Sequence, residues 1–171
     1  MITLNSDAAS TSLSKTTKAI LNEYGIKLNK NLGQNYLIDR NKRDQIIQFG
    51  NLTKDDVVLE IGPGIGTLTI ELAKRVKKVI AIEQDSNICQ ILENRLKKEN
   101  IDNVELINDD ALNVEFPKFD KIISNLPYQI SSPITFKFLN YEFQLAILMY
   151  QKEFASRMNG KVGSKDYSRL S

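Results

Sequence analysis

The 171-residue chain predicts an α/β domain built on a parallel β-sheet. Three observations carry that prediction. Short, continuous apolar runs recur along the chain, as strands buried on both faces require. Segments with helical spacing separate them, the order expected of strand–helix–strand units. Glycines, carboxylates and a proline-bearing turn gather directly after these runs, where such sheets bind ligands.

Residues 1–13 are rich in Ser, Thr and Asn and are expected to be disordered. Residues 14–24 suit a short helix ending near Gly25, and residues 41–49 a second helix closed by Gly50. V-V-L-E-I (57–61) reads as the first strand, 66–75 as a helix and V-I-A-I-E (79–83) as the second strand. Residues 86–98 place Ile88, Ile91, Leu92 and Leu96 on one helical face. Strands follow at 104–107 and 121–125, a helix at 132–139, a fifth strand at 145–150 and a helix at 151–158. Residues 160–171 read as a loop leading elsewhere, and no internal repeat is visible. The division expected is a flexible tail with a short helix over 1–26 and one domain over 27–171.

Composition excludes several classes. There is one cysteine, Cys89, and no histidine, so an internal disulfide is impossible and a Cys/His zinc site is disfavoured; no metal is expected. Cys89 falls on the apolar side of its helix as a small core residue. No stretch approaches the roughly 18 apolar residues of a membrane span. The N-terminus lacks the features of a signal peptide, and a cytoplasmic protein is expected. The net charge of +2 is unevenly spread: residues 1–50 balance at +3, 51–150 at −4 and 151–171 at +3. Basic ends around an acidic middle suit either an anionic polymer held at the edges or ordinary solvated lysines.

The chemistry lies just past the strands. After the first comes E-I-G-P-G-I-G-T, with Glu60, Gly62, Gly64 and Gly66. Glycines let a backbone turn tightly and approach a ligand, though a purely structural turn has the same composition. Glu83 ends the second strand, where an acidic residue accepts hydrogen bonds from ribose hydroxyls or simply starts a loop. Asp109 and Asp110 follow the third strand, as acceptors for an adenine amino group or as a turn cap. After the fourth comes Asn125-Leu126-Pro127-Tyr128. Pro127 biases Leu126 towards an extended conformation, which can hold the Leu126 carbonyl beside the Asn125 side chain. Two such oxygens suit an amino group with two N–H bonds, and the Tyr128 ring suits a planar base. An Asn-Pro-type turn is the plainer reading.

With these segments in place the sequence resembles the S-adenosylmethionine-dependent methyltransferases. More narrowly, it resembles the ribosomal RNA adenine N6,N6-dimethyltransferases of the small subunit. The segments that carry the resemblance are N-L-G-Q-N-Y-L-I-D (31–39), L-E-I-G-P-G-I-G-T-L-T (59–69), A-I-E-Q-D (81–85), D-A-L (110–112), N-L-P-Y-Q-I-S-S-P (125–133), M-Y-Q-K-E-F-A-S-R-M (149–158) and G-S-K-D-Y-S-R-L-S (163–171). The wording L-M-Y-Q-K-E-F-A leans towards archaeal members.

The resemblance implies a Rossmann-like class I methyltransferase fold, S-adenosylmethionine as cofactor and S-adenosylhomocysteine as product. It implies a monomer acting on small-subunit ribosomal RNA or a pre-ribosomal particle. Gln34, Asn35 and Leu37 would line the cofactor pocket, Gly62 and Gly64 would meet the methionine portion, Glu83 the ribose and Asp110 the adenine amine. Asn125 would stand between cofactor and target, with Leu126, Pro127 and Tyr128 receiving the target adenine. Lys27, Lys30, Arg40, Lys42 and Arg43, with Arg157, Lys161, Lys165 and Arg169, would hold phosphates or lie solvated.

Two positions depart from the family pattern: Tyr36 replaces the commoner phenylalanine, and Asp109 stands where glycine is usual. The family also continues into further strands, one with a second aromatic for the target base, and into a small helical domain. The resemblance therefore implies that this chain lacks the family's C-terminal part. Rival readings are a DNA adenine or glutamine-directed protein methyltransferase, disfavoured by N-L-P-Y with N-L-G-Q-N-Y-L, and a non-catalytic ribosome-assembly or RNA-binding factor retaining the fold.

Overall fold

A computed structural model describes residues 13–25, 37 and 39–171. The expected disorder at the N-terminus and the positions Lys27, Lys30, Gln34, Asn35 and Tyr36 fall outside them. The helices are α1 (Leu13–Glu23), α2 (Arg40–Phe49), α3 (Thr69–Ala73), α4 (Ser86–Lys98), α5 (Ser131–Phe138) and α6 (Lys152–Met158). The strands are β1 (Val57–Ile61), β2 (Lys78–Glu83), β3 (Val104–Asn108), β4 (Lys121–Asn125) and β5 (Leu145–Met149). They form one parallel sheet in the order β3-β2-β1-β4-β5. The chain winds outward from β1 through β2 to β3, then returns to the other side of β1. The switch point thus falls between β1 and β4.

Successive strand residues point to opposite faces, and each face has its own core. Val58, Val79, Ala81 and Ile123 meet Ile46 and Ile47 of α2 and Leu68, Leu72 and Val76 around α3. Leu59, Ile61, Ile80, Ile82 and Ile122 meet Phe116, Phe119, Ile134 and Phe138. Leu21 of α1 packs with Ile65, Ile88 and Ile91, which seats α1 behind the glycine loop and α4. Ile88, Ile91, Leu92 and Leu96 are all buried, and so is Cys89. Among the described residues no helix is long and apolar enough to cross a membrane.

One helix differs in extent from the sequence expectation, and one cap differs in conformation. The helix expected from residue 66 begins at Thr69 and is five residues long. Gly66 has φ +86°, outside the helical region, so the chain first completes the loop. Gly50 caps α2 with φ −66°, and the left-handed step falls on Asn51, at φ 42°. Gly50 is small for a different reason: a Cβ there would lie 2.5 Å from Ile123 Cδ1.

Candidate functional site

The backbone ladder between β1 and β4 runs from Val58–Lys121 to Leu59–Ile122. Beyond it the buried Ser124 hydroxyl donates to the Ile61 carbonyl at 2.6 Å and accepts from the Ile61 N–H at 3.3 Å. A side chain thus stands where a further backbone rung would close the strands together. The two strand ends part around a cleft, and four loops deliver residues into it.

Gly62, Pro63 and Gly64 follow β1, Glu83 and Gln84 close β2, Asp109 and Asp110 follow β3, and Asn125, Leu126 and Pro127 close the fourth side. Leu37 lines the same cleft from the N-terminal segment. Of the candidate site residues described, Leu37, Gly62, Gly64, Glu83, Asp110, Asn125, Leu126 and Pro127 are brought together. Tyr128 opens a 3₁₀ turn (Tyr128–Ile130) and is not in the lining, whereas Gln129 and Ile130 are.

The glycine loop packs directly on the proline turn. Gly62 has φ +67°, and a Cβ there would come within 2.8 Å of Pro127 Cγ. Arg95 of α4 reaches under the loop to donate to the Ile65 carbonyl. Glu83 ties the loop to the next strand: Oε2 accepts from the Gly64 N–H at 3.2 Å and Oε1 from the Asp85 N–H at 3.1 Å. Burial raises the Glu83 carboxyl above its ordinary value, with those backbone donors opposing the rise.

Asp110 shapes its own turn. Oδ1 accepts from the Leu112 N–H at 2.9 Å and Oδ2 from the Asn113 side-chain amide at 3.0 Å. The capping reading of Asp110 is therefore real, and each oxygen keeps acceptor capacity beyond these bonds in a residue that lines the cleft.

Glu60 lines the cleft although it lies within β1. It is 2 % exposed, and its Oε2 has no hydrogen-bond partner among the described residues. Burial pushes its carboxyl up to about 8, and the Glu83 charge adds to this; the nearby Thr69 hydroxyl opposes the rise. Sequence reasoning noticed Glu60 only as part of the glycine motif. Thr67, Leu68, Gln84, Gln129 and Ile130 lay inside the motif segments without an assigned role, and Ser124 went unassigned beside one. Among the described residues no cluster of His, Cys, Asp and Glu is arranged to hold a metal ion.

A parallel sheet wound both ways from a central strand, with a glycine loop and acidic strand ends at its switch point, is the Rossmann-like arrangement of nucleotide-binding proteins. The solved structures it resembles narrow this to the class I methyltransferase fold. A dimethyladenosine transferase from Plasmodium falciparum superposes with a TM-score of 0.72 at 43 % identity, covering 77 % of this chain and 49 % of that one. The 23S rRNA methyltransferase ErmE superposes with a TM-score of 0.67 at 34 % identity, covering 80 % and 54 %. The chain belongs to the ribosomal RNA adenine dimethylase family, whose model matches residues 25–171. A probable ribosomal RNA small subunit methyltransferase A from the archaeon Methanosphaera stadtmanae is 58 % identical over 155 residues, which are 91 % of this chain and 57 % of that protein. The chain thus spans little more than half the length of the curated relatives it matches.

Proposed function

We propose that this chain is the core of an S-adenosylmethionine-dependent methyltransferase that forms N6,N6-dimethyladenosine in small-subunit ribosomal RNA. The observation that carries the reading is the convergence of four strand-end loops on one cleft at the switch point. Family membership supports it. In this reading residues 27–171 form the catalytic domain of a cytoplasmic monomer that acts on ribosomal RNA or a pre-ribosomal particle.

The cleft's chemistry fits that donor. A half-buried acid (Glu83) would face the ribose, and a second, fully buried acid (Glu60) has an oxygen to spare for a cationic group. A cradle at Gly62 admits no side chain. When bound, S-adenosylmethionine supplies a methyl carbon made electrophilic by its sulfonium charge, leaving S-adenosylhomocysteine. Gly62 and Gly64 would give it close backbone approach, Glu83 would accept from ribose hydroxyls, and Asp110 would accept from the adenine amine. Gln34, Asn35 and Leu37 would close the pocket from the N-terminal side.

On the target side, the Asn125 side chain and the Leu126 carbonyl would accept the two N–H bonds of the target adenine. That geometry turns the N6 lone pair out of conjugation and aims it along one line, which supplies much of the rate. The same dipoles stabilise the positive charge that develops on nitrogen. Pro127, at φ −60°, holds the turn against the glycine loop, and Tyr128 beside the cleft would stack on the base. The chain has no histidine for a general base, and the proton leaves after transfer. The base must leave its stack, which a single-stranded loop permits more cheaply than a duplex.

The test is isothermal titration of S-adenosylmethionine into the 171-residue chain and into an Asn125→Ala, Glu83→Ala double variant. Binding by the parent and its loss in the variant is the expected result. A folded parent that binds nothing, or a variant that binds as well as the parent, would overturn the assignment.

A further inference from the structure

Lys137 belongs to α5, yet its ammonium is built into a different segment. Nζ donates to the Ala111 carbonyl at 2.8 Å and to the Val114 carbonyl, and it stands 4.3 Å from the centre of the Phe116 ring. Burial lowers its pKa, opposed by the charges of Asp110, Glu115 and Asp109. A solvated lysine at a helix end contributes little. Here two carbonyls and a ring face share one cation.

The segment it grips is the turn after β3 that presents Asp109, Asp110 and Ala111 to the cleft. That turn is fastened at both ends. At its start, Asp110 accepts from Leu112 and Asn113 through its carboxylate, and its carbonyl accepts from the Asn113 and Val114 N–H groups at 2.9 and 3.0 Å. Within the turn and at its finish, the Ala111 and Val114 carbonyls accept from Lys137. The helix that supplies Lys137 starts at Ser131, directly after the turn carrying Asn125 to Ile130. One short helix therefore joins the target-facing loop at its amino end to the Asp110 turn near its carboxyl end.

We propose that Lys137 is a positioning residue for the adenine end of the cleft: clamped between α5 and the 110–114 turn, it sets the Asp110 carboxylate against the exocyclic amine of a bound adenosine. This rests on reading the cleft as the cofactor site. A lysine that merely braced the fold would affect every cleft ligand alike. A lysine that sets Asp110 affects only ligands that carry the amine.

The experiment is titration calorimetry of the 171-residue chain with S-adenosylhomocysteine and with its inosine analogue, which has an oxygen in place of the amine. Lys137→Met is expected to bind S-adenosylhomocysteine roughly tenfold more weakly, the loss of a hydrogen bond to a charged group, and the inosine analogue less than about twofold more weakly. Lys137→Arg, which keeps charge and donors on a bulkier head group, is expected to recover part of the affinity for S-adenosylhomocysteine. If the methionine variant does not fold, Lys137→Gln, which loses the charge and is one methylene shorter, takes its place. Equal losses for both ligands, or no loss for either, would overturn the assignment. A parent chain that binds neither ligand would overturn the cofactor reading and this assignment with it.

Discussion

Gly62 is the residue at which the two halves of the cleft touch. Alanine there would meet left-handed backbone at φ +67° and the Pro127 ring, 2.8 Å away and fixed by its own torsion. Gly62→Ala is expected to lower the unfolding free energy by about 1–3 kcal/mol, read as a shift of the urea midpoint. Adding Pro127→Ala removes the ring but not the backbone strain, so the double variant should recover only part of the loss. An unchanged midpoint in Gly62→Ala would mean that the loop relaxes away from the proline. Gly62, Glu83, Asp110 and Asn125 were legible as cleft residues because each stands at or just past the end of an apolar run and differs from it chemically. Glu60 was not legible as a site residue. A single acid inside a strand reads as an outward-facing position, and only a sheet covered on both faces leaves it 2 % exposed. The 3₁₀ turn after Pro127, at three residues per turn, brings Gln129 and Ile130 into the lining where Tyr128 is the residue that the sequence suggests.

The element that makes the cleft is the pair β1 and β4, and the device that parts them is one hydroxyl. Ser124 bonds both backbone groups of Ile61 and spares them an unsatisfied burial. Ser124→Ala would leave both groups buried without that partner. The expected cost is about 1–3 kcal/mol, with faster amide exchange at Ile61 while Leu59, inside the ladder, stays protected. Unchanged exchange at Ile61 would show that another group closes the gap. Strands were readable because runs such as V-V-L-E-I and V-I-A-I-E are buried on both faces and need no alternation. Their splay was not, since a serine at the end of K-I-I-S-N gives no hint of where its hydroxyl goes. The start of α3 was misplaced because Gly66 lies in otherwise helical spacing, and only its positive φ, beside Leu92, excludes it from the helix.

At the scale of the whole molecule, the cleft weakens the fold that carries it. The folded chain holds a proton on Glu60, whose carboxyl is pushed up to about 8 chiefly by burial, whereas the unfolded chain releases that proton near the ordinary value of 4.5. Between those values the native state binds more protons than the unfolded state, so stability falls as pH rises from 4.5 to about 8 and levels off above it. The slope approaches about 1.4 kcal/mol per pH unit for this one group. Glu83, also raised by burial, acts in the same direction. Glu60→Gln removes the titration while keeping the shape, so it is expected to flatten the decline and to be more stable than the parent at pH 8, though not at pH 4. Urea unfolding at these two pH values measures the difference. Parallel curves for parent and variant would place the Glu60 proton elsewhere. A cationic ligand in the cleft would favour the ionised carboxylate that burial disfavours, so the group that costs stability is one that would reward binding.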